Sequence, residues 1–294
     1  MNKEQAREEK NRVVGGMLYL VSTPIGNLSD LSERALKVLS EVDFIACEDT
    51  RNTVKLLTHF GISRPLVSYH EHNKKERGEH LAARLLAGES CALVSDAGTP
   101  AISDPGEDLV ALCAERGVPV TAIPGCCASI TALTLSGLPT GRFCFEGFLP
   151  MDKKARRERL AAMKKETRTM LLHEAPHKLR GTLDELCEAL GGTCRISLCR
   201  ELTKRNEEIL RTTLQGAVEH YTANEPRGEY VLVIEGGDGG EEQSPTAALA
   251  LLAPADHVAY YEKEGLRRMD AIKQAAKDRG MPKNELYRIL CEEK

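Results

Sequence analysis

The chain has 294 residues, of which 41% are hydrophobic and 29% are charged, and its formal net charge is −4. This length suits two domains of ordinary size, and no apolar run approaches the ~20 residues of a membrane span. So mild a charge neither requires nor excludes a polyanionic partner. Residues 1–16 are rich in charge and lack the apolar core of a secretory signal, so we interpret them as a disordered leader.

Strands and helices are predicted to alternate over residues 17–137. Apolar runs typical of buried strands are Met17–Ser22, Phe44–Cys47, Cys91–Ser95 and Pro119–Gly125. The first intervening helix is predicted to be capped by Asp30, with Glu33 completing a capping box. Strands separated by helices predict a parallel sheet with helices on both faces.

The alternation restarts after the break at residues 136–141. Strand-like runs over residues 138–238 are RFCFEGF, TMLLHE, CRISLCREL and EYVLVIEGG. Residues 239–254 are predicted to be a linker, and residues 255–294 a helical tail whose two short helices resemble a helix-turn-helix. The predicted fold class is α/β: two domains with mostly parallel sheets, an interdomain cleft and a small C-terminal helical segment.

Polar clusters follow the strands at the end where open α/β sheets bind ligands. They read TPIGN, EDTR, SDAGTP, PGCCAS, HEAPHK and RELTK. Any one of them is ordinary turn chemistry, but six from both halves of the chain predict a cleft between the domains.

Common cofactor and metal motifs fit the chain poorly. The ten cysteines include no C-x-x-C pair, so we expect reduced thiols in a cytoplasmic protein and no metal. HEAPH matches the zinc protease pattern, but Pro176 and a preceding strand argue against two histidines on one helix face. GGDGG opens no helix, as a dinucleotide fingerprint would, and no strand leads into the Gly-Lys-Ser/Thr of a P-loop.

The motifs TPIGN, EDTR, SDAGTPAISDPG, EGFLP, HEAPHKL, RELTK and GEYVLVIEGG, in this order, closely resemble those of the ribosomal small-subunit cytidine 2′-O-methyltransferases. These enzymes form a family within the tetrapyrrole methylase superfamily. The resemblance runs from about Met17 to the C-terminus. It implies a homodimer with S-adenosylmethionine (AdoMet) in the interdomain cleft. It also implies methylation of a ribose 2′-hydroxyl in the decoding region of 16S rRNA in the small ribosomal subunit, without DNA or membrane partners.

The resemblance also implies a set of cofactor-binding residues. AdoMet has no phosphate, so its loop needs close backbone approach rather than a lysine; Gly98 is expected to allow that approach by lacking a Cβ atom, and Thr99 to offer a hydroxyl. The complete set is Pro24, Ala97, Gly98, Thr99, Ile102, Cys127, Ala128 and Leu202.

Methyl transfer to an alcohol is an in-line displacement in which alignment supplies most of the acceleration, and a positioned base would help. The candidates are Asp49, Glu201 and Lys204, whose motifs border the expected cleft. Asn27, Arg51 and Lys204 are equally suited to hold RNA phosphates or ribose. An ion pair, such as Asp49 with Arg51, is an alternative of equal weight to catalysis.

One local charge cluster points to RNA. Residues 151–168 contain eight basic and three acidic residues in a chain that is acidic overall. A solvated helix face is the default interpretation, but beside a cleft that takes a ribosomal substrate we favour phosphate contact by Arg156, Arg157 and Lys164.

Two other functions are weighed against this one. A tetrapyrrole methylase of the same superfamily is expected to carry Gly-Asp-Pro where this chain has Gly98-Thr99-Pro100, and to lack the basic run and the helical tail. A non-catalytic ribosome-associated binding module is expected to show no thermal shift with AdoMet.

Overall fold

The computed structural model describes residues 11–237, 249 and 252–292. The chain divides into two compact units, Met1–Gly236 and Gly237–Lys294. Residues 1–10 of the expected leader and most of the expected linker, 239–248 and 250–251, lie outside the described residues. Within the rest of the expected leader, the backbone N–H groups of Val14 and Gly16 donate to the Tyr19 hydroxyl and to the Glu89 carbonyl, so this part contacts the first sheet.

The first sheet is wholly parallel, as predicted. Its strands stand in the order β3-β2-β4-β1-β5. They are β1 (Leu18–Val21), β2 (Phe44–Cys47), β3 (Leu66–Ser68), β4 (Cys91–Val94) and β5 (Val120–Ile123). The short β3 was not among the predicted strands.

Helices cover both faces of this sheet. They are α1 (Glu33–Glu41), α2 (Thr50–His59), α3 (Lys74–Leu86) and α4 (Gly106–Arg116). Side chains of β4 alternate between two cores: Ala92 and Val94 pack toward Leu39 of α1, while Cys91 and Leu93 pack toward α3 and α4. Burial on both faces explains why the strand is apolar throughout.

The predicted cap of α1 was wrong. Asp30 ends a short 3₁₀ helix, Leu28–Asp30, and the N-cap of α1 is Ser32, whose hydroxyl accepts from the Ala35 N–H at 3.1 Å. Glu33 is then the first helical residue, whereas a capping box needs its Glu at the third.

The second sheet belongs to the same compact unit. Its strands, β6 (Phe143–Gly147), β7 (Thr169–Glu174), β8 (Arg195–Arg200), β9 (Glu208–Thr213) and β10 (Tyr230–Ile234), stand in the order β6-β7-β10-β8-β9. Its helices are α5 (Ala128–Ser136), α6 (Lys153–Met163), α7 (Pro176–Leu190) and α8 (Leu214–Ala223). Although α5 precedes the predicted boundary at residue 137, its Ala132 and Leu133 pack on this sheet.

The pairing within the second sheet differs from the expected parallel arrangement. Only β6 and β7 are parallel, and the other three pairings are antiparallel. The connection from β8 to β9, residues 201–207, is too short for the crossover that parallel strands need. β9 was not predicted because EILRTT is a half-exposed edge strand with little apolar character. The α/β class is nevertheless confirmed.

The second unit contains three helices among its described residues: α9 (Pro254–Lys263), α10 (Arg268–Asp278) and α11 (Lys283–Glu292). The sequence predicted the last two, joined at Gly280, which has a φ of 63°. All three helices contribute to one core, which includes Val258, Ile272 and Leu286. No helix in the described parts of the chain has the length and apolar character needed to cross a membrane.

Candidate active site

The larger of two cavities at the carboxyl ends of the strands receives residues from both sheets. Its volume is about 490 Å³, within the range of small-molecule and cofactor sites. Loops after β1 and β4 contribute Ile25 and Ala97. The second sheet and its loops contribute Phe148, His173, Leu202 and Lys204, among others. Five of the six polar clusters predicted to meet at a cleft therefore contribute residues here, and EDTR does not line this cavity.

A smaller cavity of about 370 Å³ lies on the other side of the turn that follows β1. Pro24 and Gly26 face this cavity, whereas Ile25 faces the larger one. Lys55 and His59 of α2 and Asp96 also line it. The turn 23–27 thus forms a wall between the two spaces.

The loop 95–106, which follows β4, is tied to this turn by backbone hydrogen bonds. Thr23 and Gly98 exchange N–H to carbonyl bonds of 2.9 and 3.1 Å. The Thr99 hydroxyl donates to the Cys126 carbonyl at 2.9 Å and lies 3.1 Å from the Ser22 hydroxyl. The Thr99 hydroxyl, which was expected to be offered to the cofactor, thus joins two loops of the protein, and its role toward AdoMet stays a prediction.

Gly98 is required for the shape of this loop. Its φ is 86°, in the left-handed region, and a Cβ atom would lie 3.3 Å from Cγ2 of Ile25. Ala101 and Ser103, with φ of 67° and 61°, are also left-handed, which is costly for residues other than glycine. Asp104 holds this conformation, since its Oδ1 accepts from the N–H groups of Ala101 and Gly106, both at 2.8 Å. Burial of the Asp104 carboxyl raises its pKa.

The turn 200–204, which follows β8, is also strained but is held by charges. Glu201 and Thr203 have φ of 50° and 66°. The Lys204 ammonium donates to Glu201 at 2.9 Å and to Glu229 at 2.8 Å. Lys204 donation lowers the pKa of Glu201. Partial burial works to lower the pKa of Lys204, but its two carboxylate partners outweigh burial and raise it. The wall of the larger cavity therefore carries a permanent cation.

Gly26 links the two sides of the site and was missed by the sequence analysis. A Cβ atom on this residue would lie 2.4 Å from Cγ of Lys204 and 2.9 Å from the Thr203 hydroxyl oxygen. The turn after β1 thus packs directly against the turn after β8. Its only sequence signal was a glycine within TPIGN.

Asp49 lies at the N-terminus of α2 and forms the ion pair that was weighed against catalysis. Its carboxylate accepts from the Arg51 backbone N–H at 2.8 Å and from the Arg51 guanidinium at 2.6 Å. These hydrogen bonds lower the pKa of Asp49 to about 2. So acidic a group is a poor proton acceptor at neutral pH. Asn27 is exposed and caps the 3₁₀ helix by accepting from the Ser29 N–H at 3.1 Å.

The expected AdoMet residues divide between the two cavities and the loops behind them. Ala97, Ala128 and Leu202 line the larger cavity, and Pro24 lines the smaller one. Gly98, Thr99, Ile102 and Cys127 line neither of these cavities in the described part of the chain. The larger cavity fits the group chemically: apolar walls suit an adenine ring, and Glu229 suits the ammonium of an amino acid end.

His173 was set aside in the sequence analysis as part of a chance zinc motif. It is the last but one residue of β7, whereas His177 lies in the first turn of α7, so the two histidines do not share a helix face. His173 Nε2 is 2.8 Å from the buried Ser129 hydroxyl, and burial lowers the pKa of the imidazole. His173 is thus a neutral ring in the wall of the larger cavity.

The basic helix α6 presents only part of its charge to solvent. Arg156 is half-buried; it pairs with Glu185 at 2.5 Å and donates to the Thr182 hydroxyl at 2.8 Å. Arg157 and Lys164 are exposed and form no ion pair with any described residue. Phosphate contact by Arg156 stays a prediction, and in this structure its guanidinium joins α6 to α7.

Comparison with known proteins identifies the family to which this chain is similar. Residues 17–218 match the family Tetrapyrrole (Corrin/Porphyrin) Methylases. A protein of Halalkalibacterium halodurans named ribosomal RNA small subunit methyltransferase I is 49% identical over 98% of this chain and 98% of its own. The Bacillus subtilis protein of the same name is 44% identical over 92% and 93% of the two chains.

Solved structures share the fold at low sequence identity. Diphthine synthase is 15% identical with a TM-score of 0.59, over 74% of this chain and 89% of its own. Uroporphyrin-III C-methyltransferase from Thermus thermophilus, solved with S-adenosylhomocysteine, is 19% identical with a TM-score of 0.52, over 74% and 97%. The chain therefore belongs to the tetrapyrrole methylase family, among the relatives named ribosomal RNA small subunit methyltransferase I.

Proposed function

We propose that this chain transfers the methyl group of AdoMet to the ribose 2′-hydroxyl of a cytidine in the decoding region of 16S rRNA. The observation that carries the proposal is similarity over almost the full length of both chains to proteins named ribosomal RNA small subunit methyltransferase I. The product S-adenosylhomocysteine, held by a solved protein of the same fold, supports AdoMet as the methyl donor.

The larger cavity is the proposed cofactor site. Ala97, Ala128 and Leu202 supply its apolar contacts, and the strained loop 95–106 fixes the position of Ala97. AdoMet, when bound, supplies an electrophilic methyl group. The protein must then hold the acceptor oxygen in line with that group, and this orientation is the main catalytic contribution that we propose.

Glu201 and Lys204 are the proposed catalytic pair. Lys204 is protonated and lies in the cavity wall, so it can stabilise negative charge that develops on the acceptor oxygen. Glu201 holds the lysine and is positioned as the acceptor of the hydroxyl proton. Its lowered pKa makes it a weak proton acceptor. Asp49 is paired with Arg51, so we assign it the lesser task of holding Arg51 near the RNA.

Exposed cations and one exposed amide are the proposed RNA contacts. Arg157 and Lys164 of the basic segment, together with Asn27 and Arg51 beside the smaller cavity, are assigned to the RNA backbone. Replacing Arg157 and Lys164 with Glu should weaken binding of small ribosomal subunits and lower the slope of its salt dependence by roughly one per lost phosphate contact. Arg156→Glu is the matched comparison, because its main expected effect is loss of stability.

We also propose a homodimer in the cytoplasm, as the family resemblance implies. Sedimentation equilibrium of the purified chain measures the first property directly. A chain that stays monomeric up to about 100 μM, which corresponds to an association free energy weaker than about −5.5 kcal/mol, would remove the homodimer from the proposal.

The decisive experiment is transfer of radiolabelled methyl from AdoMet to small ribosomal subunits from a strain that lacks the gene. The label should map to a single cytidine 2′-oxygen in the decoding region. Label on a base, or only on an added tetrapyrrole, would contradict the proposal. A thermal shift with AdoMet alone excludes the non-catalytic binding module.

A further inference from the structure

Exposed phenylalanines cluster beside the larger cavity. The chain has only five phenylalanines and no tryptophan. Three of them, Phe143, Phe145 and Phe148, are 39%, 36% and 56% exposed and fall within β6 and the residue after it. Exposed apolar clusters of this kind mark interaction surfaces more often than chance.

A β-bulge turns two of these rings toward the same neighbour. Residues three apart on a regular strand point to opposite faces. In β6 the pairing register shifts between Phe145 and Gly147, and Gly147 has a φ of 64°. Phe145 and Phe148 consequently both meet the His173 ring edge-on, at centroid distances of 5.2 and 5.5 Å. We call Phe145, Phe148 and His173 the aromatic rim.

The aromatic rim connects the cavity with the cationic surface. Phe148 and His173 line the larger cavity. The basic helix α6 begins at Lys153, shortly after Phe148, and its Lys153, Lys154 and Arg157 are exposed. A ligand that reaches from α6 into the cavity therefore passes over the aromatic rim.

We propose that the aromatic rim stacks on a base of unpaired RNA, either the target cytidine or its immediate neighbour, while α6 holds the adjoining phosphates. This inference rests on the proposed function. A 2′-hydroxyl reaches a cavity only if its nucleotide leaves the RNA stack, which costs unstacking energy. Stacking on aromatic side chains is the usual compensation in proteins that bind single-stranded RNA. The lowered pKa of His173 keeps that ring neutral and therefore weakly hydrated.

The first test compares two phenylalanines of one strand. Phe148→Leu removes the ring and keeps an apolar side chain; it should weaken RNA binding roughly tenfold, as loss of one stack does. AdoMet affinity in a calorimetric titration should stay unchanged, and Phe148→Tyr should restore RNA binding. Phe143→Leu is the matched control: Phe143 is similarly exposed but is not part of the cavity lining.

The second test uses the absence of tryptophan from the chain. Phe148→Trp introduces a single indole, whose fluorescence a stacked base quenches. A short single-stranded RNA that spans the target cytidine should quench it, and the same RNA with abasic sites at the target and its neighbours should not. In Phe143→Trp neither RNA should quench.

Three results would overturn the inference. RNA binding by Phe148→Leu and Phe145→Leu that is as tight as that of the unchanged protein would leave no role for stacking. A loss of AdoMet affinity instead would assign the rim to the cofactor adenine. Conversion of a dimer to a monomer by Phe148→Leu, with RNA binding unchanged per subunit, would assign it to a second copy of the chain.

The outcomes also separate this inference from the proposed function. If the unchanged protein labels no ribosomal RNA but single-stranded RNA still quenches Phe148→Trp, the proposed function fails and the stacking surface stands. If it labels the cytidine and Phe148→Leu does so with unchanged RNA affinity, only the stacking inference fails.

Discussion

The loop 95–106 and the turn 200–204 both contain strained backbone, and different contacts stabilise it in each. Each follows a strand at the edge of the candidate site, and each holds two residues other than glycine in the left-handed region. The loop is held by uncharged backbone bonds between Thr23 and Gly98 and by the half-buried carboxyl of Asp104. The turn is held by Lys204 between two carboxylates. Strain at functional sites persists only where neighbouring contacts enforce it, so the loop should respond to side-chain size and the turn to charge.

The largest expected effect is on the loop. Gly98→Val should abolish measurable AdoMet binding and lower the free energy of unfolding by about 2 kcal/mol or more. The reason is the left-handed φ and the contact with Ile25, rather than direct filling of cofactor space. Calorimetric titration and urea denaturation measure the two effects.

Gly61→Val is the control for this substitution. Gly61 has a similar φ of 67°, but a Cβ atom there would meet nothing within 4 Å. It should cost backbone strain alone and leave AdoMet affinity unchanged. Normal AdoMet affinity in folded Gly98→Val would remove the loop from the site.

The next largest effect is on the charged turn. Lys204→Met should slow the single-turnover rate of methyl transfer by about 100-fold, since removing one preorganised stabiliser of a developing oxyanion has costs of this order. Glu201→Gln should have a smaller effect, because it keeps a hydrogen-bond acceptor for Lys204. Asp49→Asn should change the rate least. Losses in RNA affinity, with unchanged rates at saturating substrates, would mean that these residues only hold RNA.

Much of this contrast was visible in the sequence, but the contacts that enforce it were not. Alternating apolar runs predicted four of the five strands of the first sheet, and the positions of SDAGTP and RELTK predicted two of the loops that meet. The contact between Gly26 and Lys204 joins residues far apart in sequence, and no local pattern encodes such a pair. Arg156 was assigned to RNA with the rest of its basic cluster, and the sequence could not show its ion pair because Glu185 lies on another helix. The half-exposed β9 lacks the apolar run by which buried strands are recognised.

A third, intermediate effect tests the link between the two regions. Gly26→Ala should slow methyl transfer several-fold and lower the free energy of unfolding by about 1–3 kcal/mol, because the new methyl group would meet both Cγ of Lys204 and the Thr203 hydroxyl oxygen. Gly141→Ala is the control, since a Cβ atom there meets nothing within 4 Å. In the Lys204→Met background Gly26→Ala should add little further loss. Full additivity would show that the two residues act independently.

The smallest expected effect is on pH dependence, where the two regions have opposite signs. The lowered pKa of Glu201 stabilises the fold above its ordinary value of 4.5, and this contribution is lost as pH falls through the lowered folded value. The raised pKa of Asp104 means that the folded protein binds this proton more tightly. Its contribution therefore rises as pH falls from the raised folded value toward the ordinary 3.8.

Urea denaturation between pH 3 and pH 7 measures both contributions, each expected to be on the order of a few tenths of a kcal/mol after solvent screening. Glu201→Gln should flatten the acid loss of stability, and Asp104→Asn should steepen it. Identical pH profiles for the two variants would contradict the contrast between the regions.

The position of β10 has a consequence for the synthesis of this chain. This strand is last in sequence in the second sheet, yet it stands between β7 and β8 and is buried throughout. Until residues 230–234 emerge from the ribosome, β6–β7 and β8–β9 are separate pairs, each with an open edge. Open edges invite pairing with other chains, and nascent multidomain chains are exposed to such errors. Release of the last strand therefore sets the moment at which a growing chain stops being vulnerable to misassembly.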